Sequence, residues 1–365
     1  MIGSIPRDDV ALDRPEAPGN HEAAAYAPGH SQEGQQVGRR PSSARWRSQL
    51  TAYAVTVFVL VSLNFLVPRA MPGDPLTALV DPGASAYIDS EDLREDLERY
   101  YGLDRSLLEQ YSSYLGDLVH GDFGTSIRYN QPVSGLIWER LPWTLLLVGA
   151  ASGLAAVVGI PAGVHSGWNR GRPVDRRLLS VFLGVRNFPV FFLASIALFL
   201  FSVELGWVPL AGARTAFADL GFFASLVDIA HHLVLPASVL ALRFIADNYL
   251  FMRAGMVGEL GADYLMLGQA KGLKERRLKY GYAARNAVLP VVSLVAVQLG
   301  QAVTAMIFIE VVFAYPGLGR LLFDSVSFRD YPTLQACFLV LALVVVTANL
   351  SADLLYAKLD PRTVR

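Results

Sequence analysis

The residues that could do covalent chemistry in this chain are few, and none stands in a catalytic pattern. His231-His232 suggest a metal site, but adjacent residues on a helix point to different sides. No Cys or carboxylate is read beside them at ligand spacing, so metal ligation is not expected. The single cysteine, Cys337, can form neither an internal disulfide nor a Cys-based metal site, and its apolar surroundings predict a small buried side chain. No Gly-x4-Gly-Lys-Ser/Thr loop is present to cradle a nucleotide phosphate. Gly-x-Ser-x-Gly and His-Glu-x-x-His are also missing, which leaves a membrane hydrolase without a nucleophile or a metal site. What stands out instead is charge in apolar surroundings: Arg186, Arg243 and Asp247. A charge near the bilayer centre costs about 2.5–3.5 kcal/mol on insertion scales, so it must pair or face a wet cavity. Arg243 and Asp247 are four apart on one helix face and are candidates to pair with each other. Arg186 fits no such pattern. The functional reading is that Arg186 and Arg243 line a path and favour a carboxylate on the ligand.

The surrounding sequence explains why charge there is unusual. Of 365 residues, 53% are hydrophobic and 17% charged, a balance shifted away from soluble chains toward membrane proteins. The net charge of −1 gives no basic bias, and no nucleic-acid partner is expected. Residues 1–48 are rich in Pro, Gly, Gln and Ser and read as a disordered tail rather than a secretory signal. Beyond it, six apolar stretches are long enough to span a bilayer: about 49–68, 142–166, 178–203, 231–253, 286–313 and 332–357. With the N-terminus inside, 20 lysines and arginines fall on the cytoplasmic side and 9 outside. This bias predicts both termini in the cytoplasm. The fold class expected is therefore an all-α membrane protein with six transmembrane helices, ending in a cytoplasmic C-terminus over 358–365.

Two polar segments interrupt the spans. The external segment 69–141 predicts two amphipathic helices. One follows Asp89-Ser90 and ends at Gly102; the other carries Leu107, Tyr111, Tyr114, Leu115 and Leu118 and ends at Gly121. The core 142–357 holds the other five spans and a cytoplasmic loop, 253–285, too long for a turn. That loop reads as a helix over Ala254–Ala270, a break at Gly272, and a second, basic helix beginning at Leu273-Lys274-Glu275-Arg276-Arg277. On physical grounds alone it could simply lie at the lipid surface.

This loop is where the sequence resembles a known family. Asp263-Tyr264, Gln269-Ala270-Lys271-Gly272-Leu273, Glu275-Arg276-Arg277 and Arg285 to Pro290 resemble the cytoplasmic loop of ABC importer permeases. The group most resembled is the peptide/nickel type (dipeptide/oligopeptide), and within it the first, "B"-type, permease of the pair. Other motifs follow in the family's order: Met71-Pro72-Gly73-Asp74-Pro75, Tyr101 to Asp104, Gly121-Asp122-Phe123-Gly124 with Ser126, and Glu139 to Pro142 with Thr144. Leu233 to Pro236, Glu310 with Phe313, Pro316 to Gly319, Arg329 to Pro332, Asp353 to Tyr356 and Leu359 to Arg362 continue the series. The resemblance covers about residues 50–362, and the order and spacing of its motifs are more specific than any one of them.

The resemblance implies six spans paired with a second homologous permease, two ATPase subunits at the cytoplasmic face, and an external substrate-binding protein. It implies that Asp263, Tyr264, Ala270, Lys271, Gly272, Glu275, Arg276 and Arg277 form a coupling element for an ATPase. No cofactor is expected in this subunit; ATP and Mg belong to the partner ATPases. The implied cargo is a peptide, with nickel chelates or other small solutes sharing the scaffold, and the implied location is a bacterial cell (inner) membrane. This chain departs from the pattern at Met266-Leu267, which are more apolar than usual, and at Lys274, where a serine is common. The alternative of another class is a self-sufficient secondary transporter. Repeated halves or helices broken in mid-membrane would mark it, and no convincing repeat is visible.

Overall fold

The structure, a computed structural model, describes residues 42–70 and 105–359. The chain divides after Gln49, and every side-chain contact described below lies in the part from Leu50 onward. The expected helix after Asp89-Ser90 and the Met71–Pro75 and Tyr101–Asp104 motifs lie outside the described residues. Among the described residues every regular element is a helix, and the one β-bridge joins Thr125 to Pro132. The order is α1 (Ser42–Ala70), α2 (Leu107–Val119), α3 (Val133–Trp168), α4 (Pro173–Asn187), α5 (Val190–Ala197), which continues as a π-helix over Leu198–Glu204, and α6 (Phe222–Glu259). After these come α7 (Asp263–Ala270), a π-helix over Arg277–Ala283, α8 (Ala284–Ala287), α9 (Leu289–Val312), α10 (Leu318–Ser327) and α11 (Tyr331–Leu359).

Helices α3, α6 and the Tyr331–Ala352 part of α11 are each long and apolar enough to cross a membrane. The pair α4/α5 with its π-helical extension makes a fourth candidate, and shorter apolar stretches, Leu50–Leu66 and Gly300–Val312, stand where the first and fifth spans were expected.

Helices α3 and α6 form the spine. Ala151, Ala155, Gly159, Gly163 and Gly167 recur every fourth residue on α3, and all are buried. The two helices run parallel and touch backbone to backbone. A Cβ on Gly159 would lie 2.7 Å from the Ile245 carbonyl, and one on Gly163 would lie 2.7 Å from the Tyr249 carbonyl. Without a strong hydrophobic drive between helices in lipid, such close van der Waals packing is what holds them. Pro142 and Pro161 leave α3 unbroken, as expected. With 36 and 38 residues, α3 and α6 are about 54–57 Å long at 1.5 Å per residue, well beyond the bilayer core.

Several boundaries differ from the sequence reading, among them the start of α6 at Phe222 rather than near 231. Helix α1 begins at Ser42, inside the stretch expected to be disordered, and α3 begins at Val133, inside the expected external segment. The third span, expected to be continuous over 178–203, is bent by 96° between Asn187 and Val190. Pro189 has no N–H to continue the helix, and the residue before it, Phe188, is extended (ψ 134°), the conformation a following proline imposes. Finally, the helix expected over Ala254–Ala270 breaks after Glu259, and α7 restarts from an extended Ala262.

The external helix α2 matches its expected register and opens with a capping box between Ser106 and Glu109. It leans on α1 through its tyrosines: Tyr111 Oη is 2.7 Å from Ser62 Oγ, and Asn64 donates to Tyr114 Oη at 3.1 Å. Leu107, expected on the buried face, is exposed.

Candidate coupling site and translocation path

The loop between α6 and α9 is a folded unit with a core of its own. Leu265 on α7 and Leu278 on the following π-helix are buried against Met252 and Met256 of α6, Val164 of α3 and Val291 of α9. Gly268 permits this closure, because a Cβ there would come 2.6 Å from Leu278 Cδ2. Gly255 does the same where α6 meets α8: its Cβ would lie 2.8 Å from the Ala287 carbonyl. Gly272 acts differently. Nothing lies within 4 Å of a Cβ placed on it, so no collision at that atom calls for a glycine. The need is conformational: its φ is +71°, the left-handed region that L side chains avoid. This turn closes with Leu273 N donating to the Gly268 carbonyl at 3.1 Å.

The predicted coupling residues divide into two sets. Asp263, Ala270, Lys271, Gly272, Arg276 and Arg277 are exposed along the outer rim of the elbow, together with Met266 and Leu267. Lys274, Arg276, Arg277, Tyr280 and Gly281 line a shallow depression of about 490 Å³ whose charge is basic. Tyr264 and Glu275 instead have partners within the chain. Tyr264 is half-buried and donates to Glu259; burial raises its hydroxyl pKa above the ordinary range, and the Glu259 bond adds to the rise. Glu275 accepts from the Trp168 indole at 2.6 Å, tying the elbow to the end of α3.

Beneath the elbow lies a cluster the sequence reading missed. Arg253 grips Asp175 with two hydrogen bonds, Nε to Oδ1 at 2.7 Å and Nη2 to Oδ2 at 2.9 Å. Ser166 Oγ donates to the same carboxylate, as does Gly171 N at 2.9 Å, and Ser166 also meets Tyr249 Oη at 2.7 Å. Asp175 is 2% exposed, so this bidentate pair locks α3, α4 and α6 together at the root of the loop. The members lie 78 residues apart, and no local spacing announces them.

At the opposite end, the motifs that carried the resemblance meet in pairs. Glu310, fully buried, accepts from Thr144 Oγ1 at 2.7 Å and from Arg320 N at 3.0 Å, and Leu318 N donates to Thr144 Oγ1. Any side chain on Gly317 would overlap this carboxylate. Asp330, also fully buried, accepts from Ser126 Oγ, from the backbone N–H of Ile127 and Arg128, and from Thr333 Oγ1. These are clasps between distant segments. His231 and His232 lie toward the start of α6. Asp228, one turn before His232, was overlooked at the sequence level: its Oδ1 lies 3.5 Å from His232 Nδ1, and the carboxylate also accepts from Thr215 N and Oγ1.

In mid-span the charges pair differently from expectation. Asp247 does not pair with Arg243. Arg186, at the end of α4 beside the break, places Nε 2.9 Å from Asp247 Oδ1. An Arg four residues before an Asp is the weaker order on a helix, and the break swings Arg186 within reach. Around this pair lies a polar layer in which Gln298 of α9 donates to Asn248 Oδ1 at 3.1 Å.

Comparison with known proteins settles the class. Residues 159–365 match the family described as binding-protein-dependent transport system inner membrane component. The oligopeptide transport system permease protein AppB of Bacillus subtilis is 39% identical over 302 residues, 82% of this chain and 92% of that protein. The chain belongs to this family. It is the membrane-spanning permease component of an ABC importer. A further relative, the glutathione transport system permease protein GsiC of Escherichia coli, is 36% identical over 306 residues, 84% of this chain and 94% of that protein. The broken span over 173–204, a feature named above as a mark of secondary transporters, thus belongs here to an ABC importer permease.

Proposed function

We propose that this permease carries peptides, delivered by an external binding protein, across a bacterial inner membrane, with both termini in the cytoplasm. It pairs with a second permease, and two ATPase subunits that bind ATP and Mg dock on its 263–277 elbow. The peptide assignment rests on relatives named for oligopeptide and glutathione transport. The observation that carries the coupling assignment is the elbow itself. A basic rim with exposed Met266 and Leu267 stands on a packed core joined to α3, α6 and α9, so a push on the rim reaches three long helices together. Hydrolysis falls to the partners, because this chain has no phosphate-binding loop.

Cross-linking tests the docking. Ala270 is exposed while the native Cys337 is buried, so Ala270→Cys gives one reactive thiol on the rim. In the assembled importer a short bifunctional reagent is expected to join that cysteine to an ATPase subunit. A functional complex in which Ala270→Cys and Met266→Cys are both freely labelled and never cross-linked contradicts the assignment.

A further inference from the structure

Arg243 lies ten residues from Arg253 on α6, about 15 Å along the helix and near mid-depth if Arg253 marks the inner end. It is half-buried and makes no ion pair among the described residues. One turn further on, Asp247 keeps 7% of its side chain exposed, while Arg186 keeps 44%. Although Nε of Arg186 is 2.9 Å from Asp247 Oδ1, that oxygen accepts no hydrogen bond, so the contact is one of charge without a well-aimed N–H. Arg186 thus meets a carboxylate oxygen that it does not hydrogen-bond, and Arg243 stands one turn before that carboxylate on the same side of α6. The neighbouring polar groups, Asn248 and Gln298, are neutral and bonded to each other, so they supply no second anion.

The backbone beside Arg186 is as unusual as the charges. At the 96° break Asn187, Phe188 and Pro189 are all exposed, with Phe188 extended. Non-helical backbone at membrane depth persists only where it is covered by protein or lines a water-filled cavity. A corner of open backbone and an exposed guanidinium therefore lie beside a buried carboxylate oxygen that lacks a donor, and the unpaired Arg243 is one helical turn away on α6.

We infer that Arg186 and Arg243 form a carboxylate subsite in the translocation path, and that Asp247 is the internal anion a ligand carboxylate displaces from Arg186 as it passes. The inference rests on the proposed peptide path and adds to it the chemical group that this chain itself recognises. Asp247 also keeps the site weak. A full pair of free guanidinium groups would hold a carboxylate too tightly to release it, whereas a resident competitor lets it leave.

The test is competitive uptake of trialanine and trialanine amide by the reconstituted complex, with both permeases, the ATPases and the binding protein. The binding protein's own preference is the same in every variant, so the acid-to-amide ratio relative to the parent isolates this chain. Arg243→Gln is expected to lower that ratio about tenfold, one charge-assisted hydrogen bond's worth, and Arg243→Lys to restore part of it. Asp247→Asn removes the competitor and is expected to raise the ratio. Because a charge deletion at this depth can prevent assembly, Asp247→Asn decides the matter if Arg243→Gln yields no complex. An unchanged ratio in either assembled variant, or equal loss of acid and amide uptake, overturns the subsite. Equal loss would make Arg243 a contact to an acid of the second permease. Absence of binding-protein-stimulated ATP hydrolysis in the parent complex would instead overturn the underlying permease reading.

Discussion

Replacing Gly272 by valine leaves room for the side chain but not for its backbone. No atom lies within 4 Å of the added Cβ, yet φ at this position is +71°. An L residue in the left-handed region costs about 1–2 kcal/mol, and a β-branched one is the least suited to it. The turn it would strain is held locally by few hydrogen bonds, Gly272 N to the Gln269 carbonyl at 2.9 Å and Leu273 N to Gly268 at 3.1 Å. A strain of 1–2 kcal/mol shifts a local two-state equilibrium by roughly 5–30-fold. The elbow is therefore expected to open, while the packed core of Leu265 and Leu278 and the helices beyond it remain. The assay is ATP hydrolysis by the reconstituted complex with and without loaded binding protein. Gly272→Val is expected to assemble, to hydrolyse ATP at a basal rate, and to lose most of its stimulation and transport. Gly272→Asn, whose side chain tolerates the left-handed region, is expected to retain much of both. Full stimulation in Gly272→Val refutes the reasoning. Equal damage from Asn and Val would show that bulk, not φ, is what the position excludes.

Three further outcomes follow from the packing. Gly268→Val drives a side chain into Leu278, and overpacking of about 1–3 kcal/mol is expected to detach α7, seen as faster proteolysis of the loop in an otherwise inserted protein. Asp175→Ala leaves Arg253 without its bidentate partner; the destabilisation is expected to fall below the roughly 3–5 kcal/mol of a fully buried broken pair, because Arg253 is 22% exposed, and thermal unfolding in detergent measures it. Gly163→Leu has no space between α3 and α6, and loss of folded protein in the membrane is expected, whereas Gly149→Leu, with nothing within 4 Å, is expected to be tolerated.

Much of the architecture was legible because lipid imposes long apolar runs, and the helices Val133–Trp168, Phe222–Glu259 and Tyr331–Ala352 contain or overlap the stretches that hydropathy picked out, the first two starting earlier. The third span misled because its average over 178–203 stays apolar despite Arg186-Asn187, and hydropathy does not register the missing N–H of Pro189. Gly261 and the extended Ala262 broke the inner helix in the same way: one local signal was outvoted by a longer pattern. At the candidate site, the exposed rim from Asp263 to Arg277 was readable through its family pattern. The glycine was readable too, although its reason proved to be φ rather than space. Partners far apart in sequence were not readable. Arg186 with Asp247, Asp175 with Arg253 and Trp168 with Glu275 join different helices, and only the packing brings them together. The small residues from Ala151 to Gly167 did carry a visible four-residue repeat, and a search for small-residue spacing would have predicted the α3–α6 contact.

The central claim is that this subunit moves its solute only when ATPases act on its elbow. Uptake of trialanine into proteoliposomes containing this chain and its partner permease, with binding protein outside and ATP inside, measures that dependence directly. Uptake is expected only when the ATPase subunits are also present, and is expected to stop in the same vesicles when Gly272→Val replaces the parent chain. Concentrative uptake by the two permeases without any ATPase would contradict the account.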